Sequence, residues 1–494
     1  MLKRLRVTLA VSFITLITLL FLDISGALHH YLGWIAKLQF WPSVLALNVV
    51  VIIALLLLTL LLGRVYCSVI CPLGVLQDIS SHIAGRFRKY RFRYSRENRV
   101  RYVILLVFII ASFVCAPIVA LLEPYSTYGL IVSQLLSVPY EWANNLLATW
   151  AERHDSYLFY SVDVWFKGMI PLLTAIVMLT LIVGLSAWRG RWFCNTICPV
   201  GSLLGLFSRF SLFRPAFDKS KCNKCTLCSR SCKSQCIDVA NQRIDYSRCV
   251  SCMDCVATCR RGAMTFTRRH SENSIKKADN AVKPTDTSRR TFVTATLATA
   301  TTAVVKSQIS KVDGGMAAIE DKIIPKRAQV ILPPGSVSMS NMLHRCLSCQ
   351  LCIQQCPNDV LRPSTQLERL MQPEVQYDRG YCRPECNRCS QVCPTGAIQP
   401  LSIAERSSTQ VGHAVWIKAN CIVTTNDQEC GNCARHCPVG AIQMVPMDPD
   451  DEMSLQIPAV NVERCIGCGA CENLCPSRPL SAIYVEGHEV QKTV

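Results

Sequence analysis

The sequence predicts a membrane-embedded domain of four helices joined to small α+β domains organised around cysteine quartets. Three observations carry that prediction. The 494-residue chain is 50% hydrophobic. Its long apolar runs and its excess positive charge fall in the same half. Its 30 cysteines recur at fixed spacings. Two simpler explanations fail. Disulfide scaffolds are short secreted chains with small cores, whereas this chain is long and apolar. A net charge of +18 also fits nucleic-acid binding. Yet residues 1–305 carry 35 basic and 15 acidic side chains, against 17 and 19 in residues 306–494. Positive charge gathered beside apolar runs follows the positive-inside rule, so no nucleic-acid partner is expected.

Four segments, 7–28, 44–62, 103–122 and 169–187, match the ~17–25 apolar residues that span a bilayer. Only the first contains a charge, Asp23. Its basic start (Lys3, Arg4, Arg6) and the sequence Ser25-Gly26-Ala27 also permit a reading as a cleavable signal peptide. The stretch 86–101 has eight Lys/Arg and one acid, and the 123–167 connection has five acids and two basic residues. The first is therefore expected in the cytoplasm and the second outside.

Directly after the second and fourth segments comes the same phrase, Gly-Arg followed by C-x₃-C-P-x-G. It runs from Cys67 to Gly74 and again from Cys194 to Gly201. On a continuing helix, residues four apart share a face, so Cys67 and Cys71 would point together, as would Cys194 and Cys198. Joined, the two pairs form a four-thiolate site suited to thiol redox chemistry or a soft metal. The plainer alternative is that small cysteines simply pack at helix ends. Cys115, alone in the third segment, is expected to pack.

Cys222, Cys225, Cys228 and Cys232 show the spacing C-x₂-C-x₂-C-x₃-C, repeated by Cys249, Cys252, Cys255 and Cys259. In this arrangement three thiolates hold three irons of a cubane and the fourth cysteine serves the other cluster. One [4Fe–4S] then uses Cys222, Cys225, Cys228 and Cys259, and a second uses Cys249, Cys252, Cys255 and Cys232. Zinc sites use paired C-x₂-C units instead. Lys233 and Arg260 stand where bacterial ferredoxins place Pro, and Cys236 is surplus. Four more quartets follow: Cys346, Cys349, Cys352 and Cys356; Cys382, Cys386, Cys389 and Cys393; Cys421, Cys430, Cys433 and Cys437; Cys465, Cys468, Cys471 and Cys475. The second has a first gap widened by one residue, and the third by a longer insertion, IVTTNDQE. In all four a Pro follows the last cysteine, and CPTGAIQP and CPVGAIQMVP are expected to run into short strands. Six quartets imply six [4Fe–4S] clusters, with all these cysteines as iron ligands.

The chain thus divides into a helical domain, 1–210, a two-cluster domain, 211–270, a linker, 271–330, and a four-cluster domain, 331–494. Within the linker, SRRTF at 288–292 precedes an Ala/Thr-rich run to Val305. This resembles a twin-arginine export signal placed inside the chain, with 291–305 as a fifth membrane segment. Residues 306–494 are then expected in the periplasm and 211–270 in the cytoplasm of a bacterial inner-membrane protein.

On these motifs residues 1–270 resemble the NapH/MauN family of membrane ferredoxin-type proteins, and more distantly NosR and CcoG/RdxA. Residues 288–494 resemble NapG/MauM, the exported four-cluster ferredoxin. The resemblance implies quinol oxidation in the membrane and electron delivery to a periplasmic reductase of the nitrate reductase kind, or to its cytochrome c partner. It also implies nested ligation: Cys346, Cys349 and Cys352 with Cys475; Cys465, Cys468 and Cys471 with Cys356; Cys382, Cys386 and Cys389 with Cys437; Cys421, Cys430 and Cys433 with Cys393.

No phosphate loop, dinucleotide fingerprint or nucleophile motif is present. Clusters supply one-electron chemistry, so the chain reads as an electron wire. Any enzymatic role is that of a quinol dehydrogenase component. His29 and His30, at the outer end of the first segment, are candidates for taking quinol protons. Two other readings remain: a maturation factor that reduces a metal ion for another enzyme through the C-x₃-C-P thiols, and a cytoplasmic carrier tethered to the membrane.

Overall fold

The computed structural model describes residues 2–87, 92–96, 99–114, 119–156, 159–269, 322–451 and 453–493. Cys115 and the twin-arginine stretch with its following run lie outside the described residues. All four apolar segments form helices: α1 (Leu2–Phe21), α2 (Val49–Leu62), α4 (Val100–Val114) and α7 (Met169–Arg189). Among the described residues only α1 and α7, at 20 and 21 residues, have the length and hydropathy of a full span. The expected bounds shift for a local reason. The segment 7–28 stops at Phe21 because the Asp23 carboxylate instead accepts from the amides of Gly26 and His29, both at 2.9 Å. The segment 44–62 begins only at Val49, where Asn48 caps the helix by accepting from the Val51 amide. Large apolar side chains stay exposed along these helices, among them Val50, Ile53 and Leu57 on α2, Leu106 and Ile110 on α4, and Leu173 and Val177 on α7. Bands of this kind mark a surface made for lipid or for a partner. They fit association with a membrane.

Each Gly-Arg lead ends a helix and opens a close contact. Gly63 (φ +74°) follows α2 and Gly190 (φ +64°) follows α7, both in the left-handed region that favours glycine. A Cβ on Gly63 would lie 2.7 Å from Ser251 Oγ, and one on Gly190 would lie 2.5 Å from the Lys233 carbonyl. The motif proline then starts a helix rather than ending one. Pro72 opens α3 (Pro72–Phe87) and Pro199 opens α8 (Pro199–Ser208), with proline at the first-turn position it favours.

The 123–167 connection contains a helix pair, α5 (Pro124–Ile131) and α6 (Ser137–Glu152), joined by a π-helical turn at Val132–Leu136. After α8, strands β1 (Phe213–Phe217) and β2 (Met264–Arg268) pair antiparallel and enclose the two-cluster domain. In the C-terminal unit β3 (Thr409–Trp416) pairs with β6 (Ile483–Thr493), and β4 (Ile442–Pro446) with β5 (Gln456–Val460), all antiparallel. CPVGAIQMVP runs into β4 as expected, but CPTGAIQP forms no strand. One core runs from Ile17, Leu20 and Phe21 of α1 through Tyr125 and Tyr128 of α5 to Leu351, Ile353 and Val360 of the C-terminal unit.

The two cysteine-rich units sit at opposite ends of α1, which is about 30 Å long at 1.5 Å per residue. At its start Lys3 pairs with Asp254 (2.9 Å) and Arg6 with Asp78 (2.8 Å). At its end the Thr18 and Tyr128 hydroxyls meet at 2.6 Å, and Gln355 Nε2 donates to the Asp23 carbonyl at 2.6 Å.

Candidate electron-transfer sites

The two C-x₃-C-P motifs form one interlocked, pseudo-symmetric site. Arg64 of the first motif donates to the Cys194 carbonyl at 3.3 Å, and Arg191 of the second donates to the Cys67 carbonyl. Gly74 packs on the Cys67 carbonyl and Gly201 on the Cys194 carbonyl, and a Cβ at either would approach within 2.2 Å. Both arginines are fully buried, and Cys67, Cys71, Cys194 and Cys198 are 2–3% exposed. The members of each pair do not share a continuous helix. The helix Tyr66–Val69 ends before Cys71, and Cys198 is the residue before α8, its sulfur accepting from the Gly201 amide at 3.4 Å. The four thiols nevertheless converge closely enough to act on one another electrostatically. Among the described residues no three Cys, His, Asp or Glu side chains lie at single-ion distances.

Asp78 ties this site to the two-cluster domain. Burial alone would raise its pKa, but Arg191 at 2.8 Å, with Lys233 and Arg6, holds it well below the usual carboxylate range. Lys233 reaches Asp78 and Asp254, both at 3.5 Å, and its carbonyl accepts from the Arg191 amide at 3.0 Å. This explains why Lys233 stands where ferredoxins place Pro: the position docks the domain onto the bundle. Ser247 adds to the seam, its carbonyl accepting from Arg64 and its hydroxyl from Arg101.

The cysteine quartets fit cubanes. In the motifs centred on Cys225, Cys252, Cys349 and Cys468 the residues on both sides of the middle cysteine have positive φ. These are Lys224 and Thr226, Ser251 and Met253, Ser348 and Gln350, and Gly467 and Gly469, at +51° to +79°. Six of the eight are not glycine, and such strain persists only where a site requires it. The two quartets with altered first gaps lack this paired signature. Backbone amides point at sulfurs, from Ser348 to Cys346 (3.4 Å), from Ala441 to Cys437 (3.2 Å) and from Ala482 to Cys475 (3.4 Å). Arg406 Nη2 lies 3.1 Å from the Cys382 sulfur, while its Nε and Nη1 are buried without a hydrogen-bond partner among the described residues. Unpaired cationic donors beside thiols suit an anionic cluster. Burial together with neighbouring thiols pushes the free thiols up, Cys349 and Cys468 to about 12. They favour the ionised form only where iron compensates.

Ligand partners follow from which cysteines share a cavity. Cys222, Cys225, Cys228 and Cys259 line one, and Cys232, Cys249, Cys252 and Cys255 another, as the spacing predicts. The nested arrangement expected for the C-terminal half is wrong. Cys475 shares a cavity with Cys421, Cys430 and Cys433, not with Cys346, Cys349 and Cys352. Cys393 instead acts on that first trio, Cys356 on Cys389, and Cys437 on Cys465 and Cys468. Successive quartets exchange their fourth cysteines, as in the two-cluster domain.

The sites then fall in a line. The second N-terminal cavity faces the bundle, where Ser251 Oγ donates to the Leu62 carbonyl at 2.9 Å. Beyond it lie the C-x₃-C-P thiols, then the buried Glu123 and Tyr125. Glu123 acts electrostatically on both Cys71 and Cys349. The Cys349 loop docks on α5, where Ser126 Oγ donates to the Leu347 carbonyl. Next come the Cys382 site, joined to Cys468 by a 2.9 Å backbone hydrogen bond, the Cys468 site, and last the Cys421 site. Sequence reasoning missed Glu123, Tyr125 and the docking residues of α5. No cysteine marks them, and only their lack of exposure reveals them.

His29 is buried and its Nδ1 has no hydrogen-bond partner among the described residues. With the exposed His30, Trp34, Lys37, Gln355 and Arg388 it lines a cavity of about 380 Å³ where α1 meets the C-terminal unit.

Comparison with known proteins agrees with this arrangement. A family described as "4Fe-4S binding domain" matches residues 44–91 and 171–220, the two helix-plus-C-x₃-C-P repeats. A "4Fe-4S dicluster domain" matches 345–397, which holds the first two C-terminal quartets, and 428–478, which holds the last two except Cys421. Ferredoxin-type protein NapH of Escherichia coli is 26% identical over 47% of this chain and 71% of its own length. The chain is thus similar to ferredoxin-type iron–sulfur electron-transport proteins such as NapH. The methylamine utilization ferredoxin-type protein MauM of Methylobacillus flagellatus is 30% identical over 30% of this chain and 64% of MauM. An uncharacterized protein of Methanocaldococcus jannaschii is 25% identical over 50% of this chain and 80% of its own length.

Proposed function

We propose that the chain is a six-cluster wire that carries electrons from the inner face of the bacterial inner membrane, or from the quinol pool, to a periplasmic reductase or its cytochrome c partner. The observation that carries this reading is the succession of contacts that links the two-cluster domain at one end of α1, through the C-x₃-C-P site, to the C-terminal unit at the other. The outward assignment of 123–167 supports it, because α5 and the π turn lie in that connection and hold the C-terminal unit. The cavity beside His29 is the quinol site in this reading. Gln391 and Val392, between Cys389 and Cys393, form part of its wall, and the free Nδ1 of His29 takes the quinol proton. Full burial of the C-x₃-C-P thiols favours the wire over a maturation factor, whose thiols must be reached by a delivered metal ion.

Protease treatment of spheroplasts tests the crossing. The parent loses its C-terminal four-cluster fragment to the protease, whereas an Arg289→Lys, Arg290→Lys variant keeps it. Protection of that fragment in both would put all the clusters on one side and favour a tethered cytoplasmic carrier.

A further inference from the structure

The cavity formed by Cys232, Cys249, Cys252 and Cys255 is lined by a fifth thiol, that of Cys236. Its sulfur lies 3.5 Å from that of Cys232 and is in contact with that of Cys249, and the residue is 2% exposed. Its position along the chain is equally telling. Four residues after Cys259, Cys393 and Cys437 stand Ala263, Ala397 and Ala441, each buried beside its own site. Four residues after Cys232 stands Cys236. Four residues after Cys356 and Cys475 stand Val360 and Pro479, so no other quartet has a sulfur at this position. Cys236 places a second soft ligand beside the one that Cys232 supplies.

We propose that Cys236 is an alternative ligand for the iron corner assigned to Cys232, an inference that rests on the cluster reading of this cavity. The exchange is a thiolate swap. The Fe–S bond to Cys232 breaks, the Fe–S bond to Cys236 forms, and the Cys236 thiol proton passes to the neighbouring Cys232 sulfur. No electron is gained or lost. Cys232 is followed by Lys233, which is pinned to the bundle through Asp78 and Asp254, whereas Cys236 leads into Ile237 of the domain's own small hairpin. The cluster at the docking seam thus keeps four ligands when the Cys232 arm is pulled away or lost.

Iron and acid-labile sulfide content, with EPR of the reduced full-length protein purified anaerobically, tests this. Cys232→Ser and Cys236→Ser should each keep the parental iron, and the double variant should lose one cluster, about four iron. In the other cavity Cys259→Ser, which has only Ala263 beside it, should lose a cluster, and adding Ala263→Cys should restore it. Loss of the cluster in Cys232→Ser alone would overturn the exchange and leave the cluster reading intact. Full iron in the double variant would overturn both.

Discussion

Arg406 shows how single side chains set the properties of this wire. It is fully buried, its helix is fixed by a Ser402–Glu405 capping box, and it directs a guanidinium nitrogen at the Cys382 sulfur. A positive charge and a donated hydrogen bond both favour the reduced, more negative cluster. Arg406→Met should therefore make the potential of the Cys382 cluster more negative by roughly 60 mV, one tenfold step in a one-electron equilibrium. A redox titration followed by EPR reads this shift, and an unmoved potential would mean that the cation acts only in packing. Lys233 makes the same point in the opposite sense. The sequence marks it as a departure from the ferredoxin pattern, but its purpose appears only when Asp78 and Asp254 are brought to it from two other elements.

At the scale of elements, the four apolar helices were legible because charge-free runs of Leu, Ile and Val have few other fates. Their ends were less so, since Asp23 and Asn48 act as caps through contacts that hydropathy does not register. The helix pair inside 123–167 escaped notice because its surface is polar where it docks. Its π turn frees the Ser133 carbonyl for Gln354 Nε2 at 2.8 Å, and the Ser133 and Gln134 side chains both meet Gln350. Spacing picks out six cysteine quartets, yet it does not encode which quartets exchange a fourth cysteine, because that depends on how the units fold together. Pairing can be read by additivity. Cys352 and Cys475 belong to different clusters here, so the Cys352→Ser, Cys475→Ser double variant should lose about eight iron, whereas Cys352→Ser with Cys393→Ser should lose about four. The reverse result would restore the nested arrangement.

At the scale of the whole molecule, the duplicated Gly-Arg-x-x-C-x₃-C-P phrase is the hinge of the account. Each copy ends a long apolar helix, and each arginine binds the backbone of the other copy, so neither half of the site forms alone. The repeat was visible in the sequence. That it lies between the two cysteine-rich units was not, because this follows from the C-terminal unit packing on the far end of α1. Removing one partner of a buried ion pair costs about 3–5 kcal/mol, so the thiols, not the arginines, are the groups to alter when testing electron flow. Sealed inside-out vesicles containing the protein, reduced from outside by a membrane-impermeant low-potential viologen, allow the reduced clusters to be counted by EPR. In the parent all six clusters should be reduced. In a Cys71→Ser, Cys198→Ser variant with full iron content, only the two of the N-terminal domain should be. A parent that stops at two clusters, or a variant that still fills six, would contradict a wire that crosses through these cysteines.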